Sequence, residues 1–120
     1  MKRRILIIED DKDILEITAM VLKINDFEVA TVSETDDIIN LVNIHRPHLI
    51  LTDYMLRGLT GGQICKIIKT NEDTKMIPVV LLSFYSKTAI DIGNFKFDAF
   101  VRKPLNLEYL TTVLNKHIIN

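Results

Sequence analysis

Three short apolar runs punctuate the chain: Ile5 to Ile8, Leu49 to Leu51, and Ile77 to Leu82. They are continuous rather than alternating, the pattern of strands buried on both faces of a parallel sheet. Phe27 to Val32 mixes polar with apolar residues and reads as an edge strand. Ala99-Phe100-Val101 is a short fifth strand. Amphipathic stretches lie between these runs. Ile14, Ile17, Val21 and Leu22 fall at helical spacing, with Asp13 and Glu16 as a capping box. Ile38, Leu41, Val42 and His45 form a second stripe, capped by Ser33 or Thr35. Ile64, Ile67 and Ile68 form a third, opened by the T-x-x-Q box of Thr60-Gly61-Gly62-Gln63. A short, poorly patterned helix is expected around Ser86 to Gly93. Leu107, Leu110, Leu114 and Ile118 form a fifth, opened by Asn106.

The order is β-α five times, which implies an α/β fold: a parallel sheet with helices on both faces and right-handed crossovers. A chain of 120 residues suits one domain over residues 1–120. No repeat, low-complexity stretch or linker interrupts it. The apolar fraction of 48% and charged fraction of 26% are those of a folded domain, not a disordered one. Fifteen basic residues against sixteen acidic give a net charge of −1, so no overall basic field favours nucleic acid. The single cysteine, Cys65, excludes an internal disulfide and suits a reducing compartment. The run after Lys2-Arg3-Arg4 is too short for a signal peptide, and Glu9-Asp10-Asp11 ends it. No run is long enough to span a membrane. A cytoplasmic protein is expected, with no membrane partner.

Sheets of this kind bind ligands at the carboxyl ends of their strands. Strand one ends in Glu9-Asp10-Asp11, strand three in Thr52-Asp53, strand four in Ser83, and Lys103-Pro104 follows strand five. Each feature alone is ordinary. An acidic pair after a strand is often a helix N-cap, and Asp11 or Asp13 suffices for that. Capping leaves Glu9, Asp10 and Asp53 unexplained. Close carboxylates repel unless protonated or bridged by a cation, and an oxygen-only cluster suits a hard divalent ion such as Mg²⁺. Lysines after strands are usually solvated, but Pro104 stiffens the backbone and favours an inward Lys103 that pairs with Asp53 at rest and with a phosphoryl oxygen later. Ser83, beside the cluster, is placed to hydrogen-bond the same phosphoryl group, unless it merely satisfies a local backbone group. His45, His48 and His117 are scattered and lack metal-ligand spacing.

These residues resemble the receiver domains of two-component response regulators. The resemblance covers essentially the whole chain. It is carried in order by Ile5-Leu6-Ile7-Ile8-Glu9-Asp10-Asp11, Pro47-His48-Leu49-Ile50-Leu51-Thr52-Asp53-Tyr54-Met55, Gly58-Leu59-Thr60-Gly61, Val79-Val80-Leu81-Leu82-Ser83 and Arg102-Lys103-Pro104. It implies a flavodoxin-like doubly wound sheet of strand order 2-1-3-4-5 with five helices. It implies Asp53 as phosphoacceptor, Glu9 and Asp10 as the acidic pair for Mg²⁺, and the backbone carbonyl of Met55 as a further ligand. Ser83 would bind a phosphoryl oxygen, Lys103 would make the ion pair, and Phe100 would be the switch aromatic. Tyr85 would tune hydrolysis of the acyl phosphate. The implied donor is a sensor histidine kinase or a histidine phosphotransfer protein, and the implied output is a downstream effector protein. The only chemistry catalysed would be the domain's own phosphorylation and dephosphorylation.

The sequence departs from the family at four places. Arg57 stands where proline is usual, and Thr60 where an acidic residue is usual. Phe84 replaces a small residue and is expected to narrow access to Asp53. The stretch from Ser83 to Lys103 is shorter than usual and lacks a glycine over Lys96 to Asp98. No output domain is expected within these residues. Three rival functions compete with this reading. A flavin carrier would place glycines and hydroxyls, not Glu9-Asp10-Asp11, at its phosphate loop. An aspartate-nucleophile phosphatase would carry its nucleophile after strand one, under a cap for which there is no insertion. A receiver-like module that signals by protein contacts without phosphorylation is the remaining alternative.

Overall fold

A computed structural model describes residues 2–86 and 96–118 of the chain. Five parallel strands form one sheet in the order β2-β1-β3-β4-β5. They are β1 (Arg4–Ile8), β2 (Glu28–Val32), β3 (Leu49–Asp53), β4 (Val79–Ser83) and β5 (Ala99–Arg102). The helices are α1 (Lys12–Ile24), α2 (Ile38–His45), α3 (Gly61–Thr70) and α4 (Leu107–His117). The doubly wound architecture expected from the β-α alternation is therefore present. The helix expected around Ser86 to Gly93 lies outside the described residues, apart from Ser86 itself. The fifth predicted helix is α4.

Every residue of β3 and β4 is buried, as continuous apolar runs require, while β2 mixes exposed and half-buried positions as an edge strand. Strand residues alternate between two cores. Ile5, Ile7, Leu49, Leu51, Val80, Leu82 and Val101 pack with Ala19 and Leu22 of α1 and Leu110 and Leu114 of α4. Leu6, Ile8, Ile50, Val79 and Leu81 pack with Ile38 and Val42 of α2 and Ile64, Cys65 and Ile68 of α3. Each large aliphatic side chain buried in this way contributes roughly 1.5–3 kcal/mol. Cys65 is a core residue, and burial pushes its thiol up to about 11.

One cap differs from expectation, and another decides between two candidates. Of Asp11 and Asp13, it is Asp11 that caps α1, accepting from Asp13 N at 3.0 Å and Ile14 N at 3.1 Å, in place of an Asp13–Glu16 box. Asp13 instead supplies first-turn acidity. Asp37, rather than Ser33 or Thr35, caps α2 through Asn40 N at 3.1 Å. The Thr35 hydroxyl accepts from Asp37 N and sets up the turn before it. The other two caps are as expected. Thr60 and Gln63 form a reciprocal box on α3, and Asn106 accepts from Tyr109 N to open α4.

The apolar stripe of α1 also faces differently. Thr18, Ala19 and Leu22 are its buried residues, while Ile17 is half exposed. The Thr18 hydroxyl is buried without a hydrogen-bond partner among the described residues. Ile14 and Ile17 instead line a groove with Phe84, Pro104, Leu105 and Leu107.

Candidate functional site

The carboxyl ends of β1, β3, β4 and β5 lie side by side, because the strands run parallel in register: Ile8 pairs with Thr52, Asp53 with Leu82, and Ser83 with Arg102. Backbone bonds continue past the strand ends. Glu9 N–H donates to the Val32 carbonyl at 3.1 Å, Tyr54 N–H to Leu82 at 2.8 Å, and Lys103 N–H to Ser83 at 2.8 Å. The residue after β1, β3 and β5 is thus tied into the same backbone ladder as the strand. The Lys103–Pro104 peptide bond is cis.

Glu9, Asp53 and Lys103 are buried although all three are ionisable. The Lys103 ammonium reaches both carboxylates, at 2.5 Å from Glu9 Oε1 and 3.2 Å from Asp53 Oδ2. The other Glu9 oxygen accepts from Asp11 N–H at 3.3 Å. Asp10 is half-buried beside them. One carboxylate oxygen from each of Glu9, Asp10 and Asp53 lies within 4.8 Å of the others. If all are ionised, three carboxylates and one ammonium sum to −2. Burial, and then the Glu9 charge, raise the Asp53 carboxyl to about 6, while Lys103 opposes the rise. Burial would lower the Lys103 ammonium, but the hydrogen bond to Glu9 and the charges of Asp53 and Glu9 outweigh it and raise it.

The loop beyond Asp53 is pinned. Gly61 N–H donates to the Tyr54 carbonyl at 2.9 Å. A Cβ at Gly61 would collide with the Asp53 carbonyl oxygen and sit 2.8 Å from Tyr54 Cα. Gly58 has φ +72°, and Leu59 N–H donates to the Thr35 carbonyl at 2.9 Å. The Thr52 hydroxyl donates to the Asp53 carbonyl at 3.0 Å. In the sequence, Gly61 belongs to the Thr60–Gln63 cap and to the Gly58-Leu59-Thr60-Gly61 motif of the resemblance. Its close approach to the Asp53 backbone was not legible, although its placement eight residues after Asp53, at the first turn of a helix, was the available signal.

The remaining predicted residues are also placed. The buried Ser83 hydroxyl accepts from Tyr85 N–H at 2.9 Å. The Tyr85 ring meets Tyr54 edge-on, with centroids 6.3 Å apart. Phe84 is exposed, and its ring centroid lies 5.4 Å from the Lys103 ammonium. Phe100 is half-buried against the α2/α3 core and beside Phe97. Met55, two residues beyond Asp53, has an exposed side chain. Arg57 makes an exposed 3.8 Å contact with Glu34. Among the described residues no helix is long and apolar enough to cross a membrane.

Residues 5–115 match the family model of the response regulator receiver domain. The chain belongs to this family. As a receiver domain it is 41% identical over 108 residues to the phosphate regulon transcriptional regulatory protein PhoB of Escherichia coli (strain K12), covering 88% of this chain and 47% of that protein. It is 28% identical over 106 residues to the DNA-binding response regulator MtrA of Mycolicibacterium smegmatis, covering 87% of this chain and 45% of that protein. The receiver domain thus spans about half the length of the curated relatives it matches. Its fold is shared with the chemotaxis response regulator CheY4 of Vibrio cholerae, at a TM-score of 0.88 and 18% identity, covering 98% of this chain and 100% of that one. The strand order 2-1-3-4-5 and the flavodoxin-like sheet expected from sequence are those observed.

Proposed function

We propose that this receiver domain accepts a phosphoryl group on Asp53 in a Mg²⁺-dependent reaction and relays the change through Ser83 and Phe100. The observation that carries this reading is the buried ammonium of Lys103 held between Glu9 and Asp53, within a cluster of three carboxylates. The oxygen-only donor set and its uncompensated charge of −2 fit a divalent hard cation. Glu9, Asp10 and Asp53 would hold it, with the Met55 backbone carbonyl as a further ligand. When bound, Mg²⁺ supplies neutralisation of the phosphoryl oxygens.

In the transfer, an Asp53 carboxylate oxygen attacks phosphorus and forms an acyl phosphate bond. The donor's bond to phosphorus breaks, and its leaving group keeps the electron pair. For a phosphohistidine donor, that group is an imidazole of a sensor histidine kinase or histidine phosphotransfer protein. Negative charge approaches negative charge, so catalysis is positioning and electrostatics. Lys103 is already in place to follow the oxygens of the new phosphoryl group. The Ser83 hydroxyl turns from Tyr85 N–H to donate to another of those oxygens. Phe100 then fills the space this vacates, and Tyr85, beside Tyr54, governs access of hydrolytic water. A downstream effector protein reads the altered surface. In this reading the domain catalyses only its own phosphorylation and dephosphorylation at Asp53.

The test is intact mass after incubation with acetyl phosphate, with and without Mg²⁺, for the wild type and Asp53→Asn. The expected result is a Mg²⁺-dependent gain of one phosphoryl group that the variant lacks. A gain that persists in Asp53→Asn places the acceptor elsewhere, and no gain from either acetyl phosphate or a phosphohistidine donor removes the reading.

A further inference from the structure

Phe84 is a large apolar residue at 63% exposure, directly after Ser83. It is not a core residue displaced to the surface, because its ring has a specific neighbour. The centroid lies 5.4 Å from the Lys103 ammonium, inside the range in which a ring face attracts a cation. The Lys103 side chain is only 3% exposed, although it lies at the edge of the sheet where the strands end. The backbone fixes this arrangement: Lys103 N–H donates to the carbonyl of Ser83, the residue before Phe84, at 2.8 Å. The same ring forms one wall of the groove lined by Ile14, Ile17, Leu105 and Leu107, which Lys103 also borders.

Lysine is a flexible point charge with four rotatable bonds, unlike the planar fork of arginine. In this site its ammonium has two carboxylate partners at rest, Glu9 and Asp53. Phosphoryl transfer requires it to shift toward new oxygens without escaping to water. A ring face has no fixed acceptor direction, so it attracts the cation through such a shift while keeping solvent off one side.

We propose that Phe84 is a positioning residue: its ring holds the Lys103 ammonium inside the cluster by a cation–π contact, ready for the phosphoryl oxygens. This rests on the reading of Asp53 as acceptor, and it assigns the bulky ring a role beyond obstruction. Phe84 acts through Lys103 and touches no reacting atom.

Two variants separate the ring's electrostatics from its bulk. Phe84→Leu keeps an apolar side chain without a π face, and Phe84→Tyr keeps the face. Rates of Asp53 phosphorylation at saturating acetyl phosphate and Mg²⁺ are expected to fall roughly five-fold in Phe84→Leu, about 1 kcal/mol. Phe84→Tyr is expected to stay within about two-fold of wild type, a difference too small for loss of a contact of that strength. A Phe84→Leu rate equal to or above wild type makes the ring an obstacle only and overturns the proposal. Equal slowing in both variants makes it a matter of shape and also overturns it. A second readout needs neither donor nor metal. Solvent exchange of the Lys103 ammonium protons, followed by ¹⁵N NMR, should be faster in Phe84→Leu and unchanged in Phe84→Tyr. Unchanged exchange in Phe84→Leu overturns the contact itself. If no protein is phosphorylated but exchange responds as expected, the cation–π contact stands and the acceptor reading fails.

Discussion

The Asp53 carboxyl is held at about 6 by burial and by the neighbouring Glu9 charge, against 3.8 ordinarily. The folded protein therefore binds a proton there more tightly than the unfolded chain does. Between about pH 4 and pH 6 the contribution of this group to stability falls as pH rises, because ionisation costs more in the folded state. Above pH 6 the full cost is present, and below pH 4 it is absent. Asparagine cannot ionise, so Asp53→Asn should be more stable than wild type by roughly 1–2 kcal/mol at pH 7. The gap should close as pH falls below about 4. Urea unfolding of both proteins across this range measures it. A gap that stays constant with pH would mean that the carboxyl is not strained by its surroundings. Under the proposed function, the charge that makes Asp53 costly would also make it receptive, since a bound cation would relieve it.

Helix α3 begins against the backbone of Asp53, the proposed acceptor. Its reciprocal Thr60–Gln63 box fixes where the first turn starts, and the absence of a Cβ at Gly61 lets that turn touch Asp53 and Tyr54. Gly61→Ala should therefore push the helix off the strand end or move the Asp53 carbonyl. The expected loss is about 2–3 kcal/mol by chemical denaturation, together with slower phosphorylation of Asp53. Full activity with lowered stability would show that the strand end does not move. The helical elements also mark how far sequence reading reaches. The Thr60 box and the Asn106 cap were legible because a cap is local chemistry over four residues. The cap of α2 was misplaced by two residues or more, and that of α1 stayed open between Asp11 and Asp13, because several acidic and hydroxyl residues compete in each loop. Ile17 was placed on the inner face of α1 by its spacing, yet tertiary packing chose Thr18 and Ala19. Periodicity gives the existence of an apolar face more surely than its angle.

Over the whole molecule, the cluster exists only when segments ninety residues apart are brought together, as the contact between Lys103 and Glu9 illustrates. An unfolded chain offers no such cluster, so Mg²⁺ should bind the native state alone and stabilise it by mass action. At roughly one hundred times its Kd the gain is about 2.7 kcal/mol. Thermal unfolding with and without Mg²⁺ should show this for wild type and much less for Asp10→Asn; an equal gain in both would place the cation elsewhere. The assembly of Glu9, Asp10, Asp53 and Lys103 was legible because parallel strands share a carboxyl edge, and the chemistry sat at that edge in the sequence. The aromatic contact of Phe84 was not, since a ring beside a reactive group reads equally as a barrier.

The two alternating cores give the sheet a property of its own. Continuing the alternation past the strand ends sets Glu9, Asp53 and Lys103 in step with Ile5, Leu51 and Val101 on the α1/α4 side. Ser83 falls in step with Leu81, and Phe100 itself packs on the α2/α3 side. If Asp53 takes the phosphoryl group as proposed, the sheet is a partition: the acceptor stands on one side, and the hydroxyl and ring that would respond to it stand on the other. Substitutions within one helical layer would then retune how the mark is received with little effect on the other layer. Reception and response would be open to separate change.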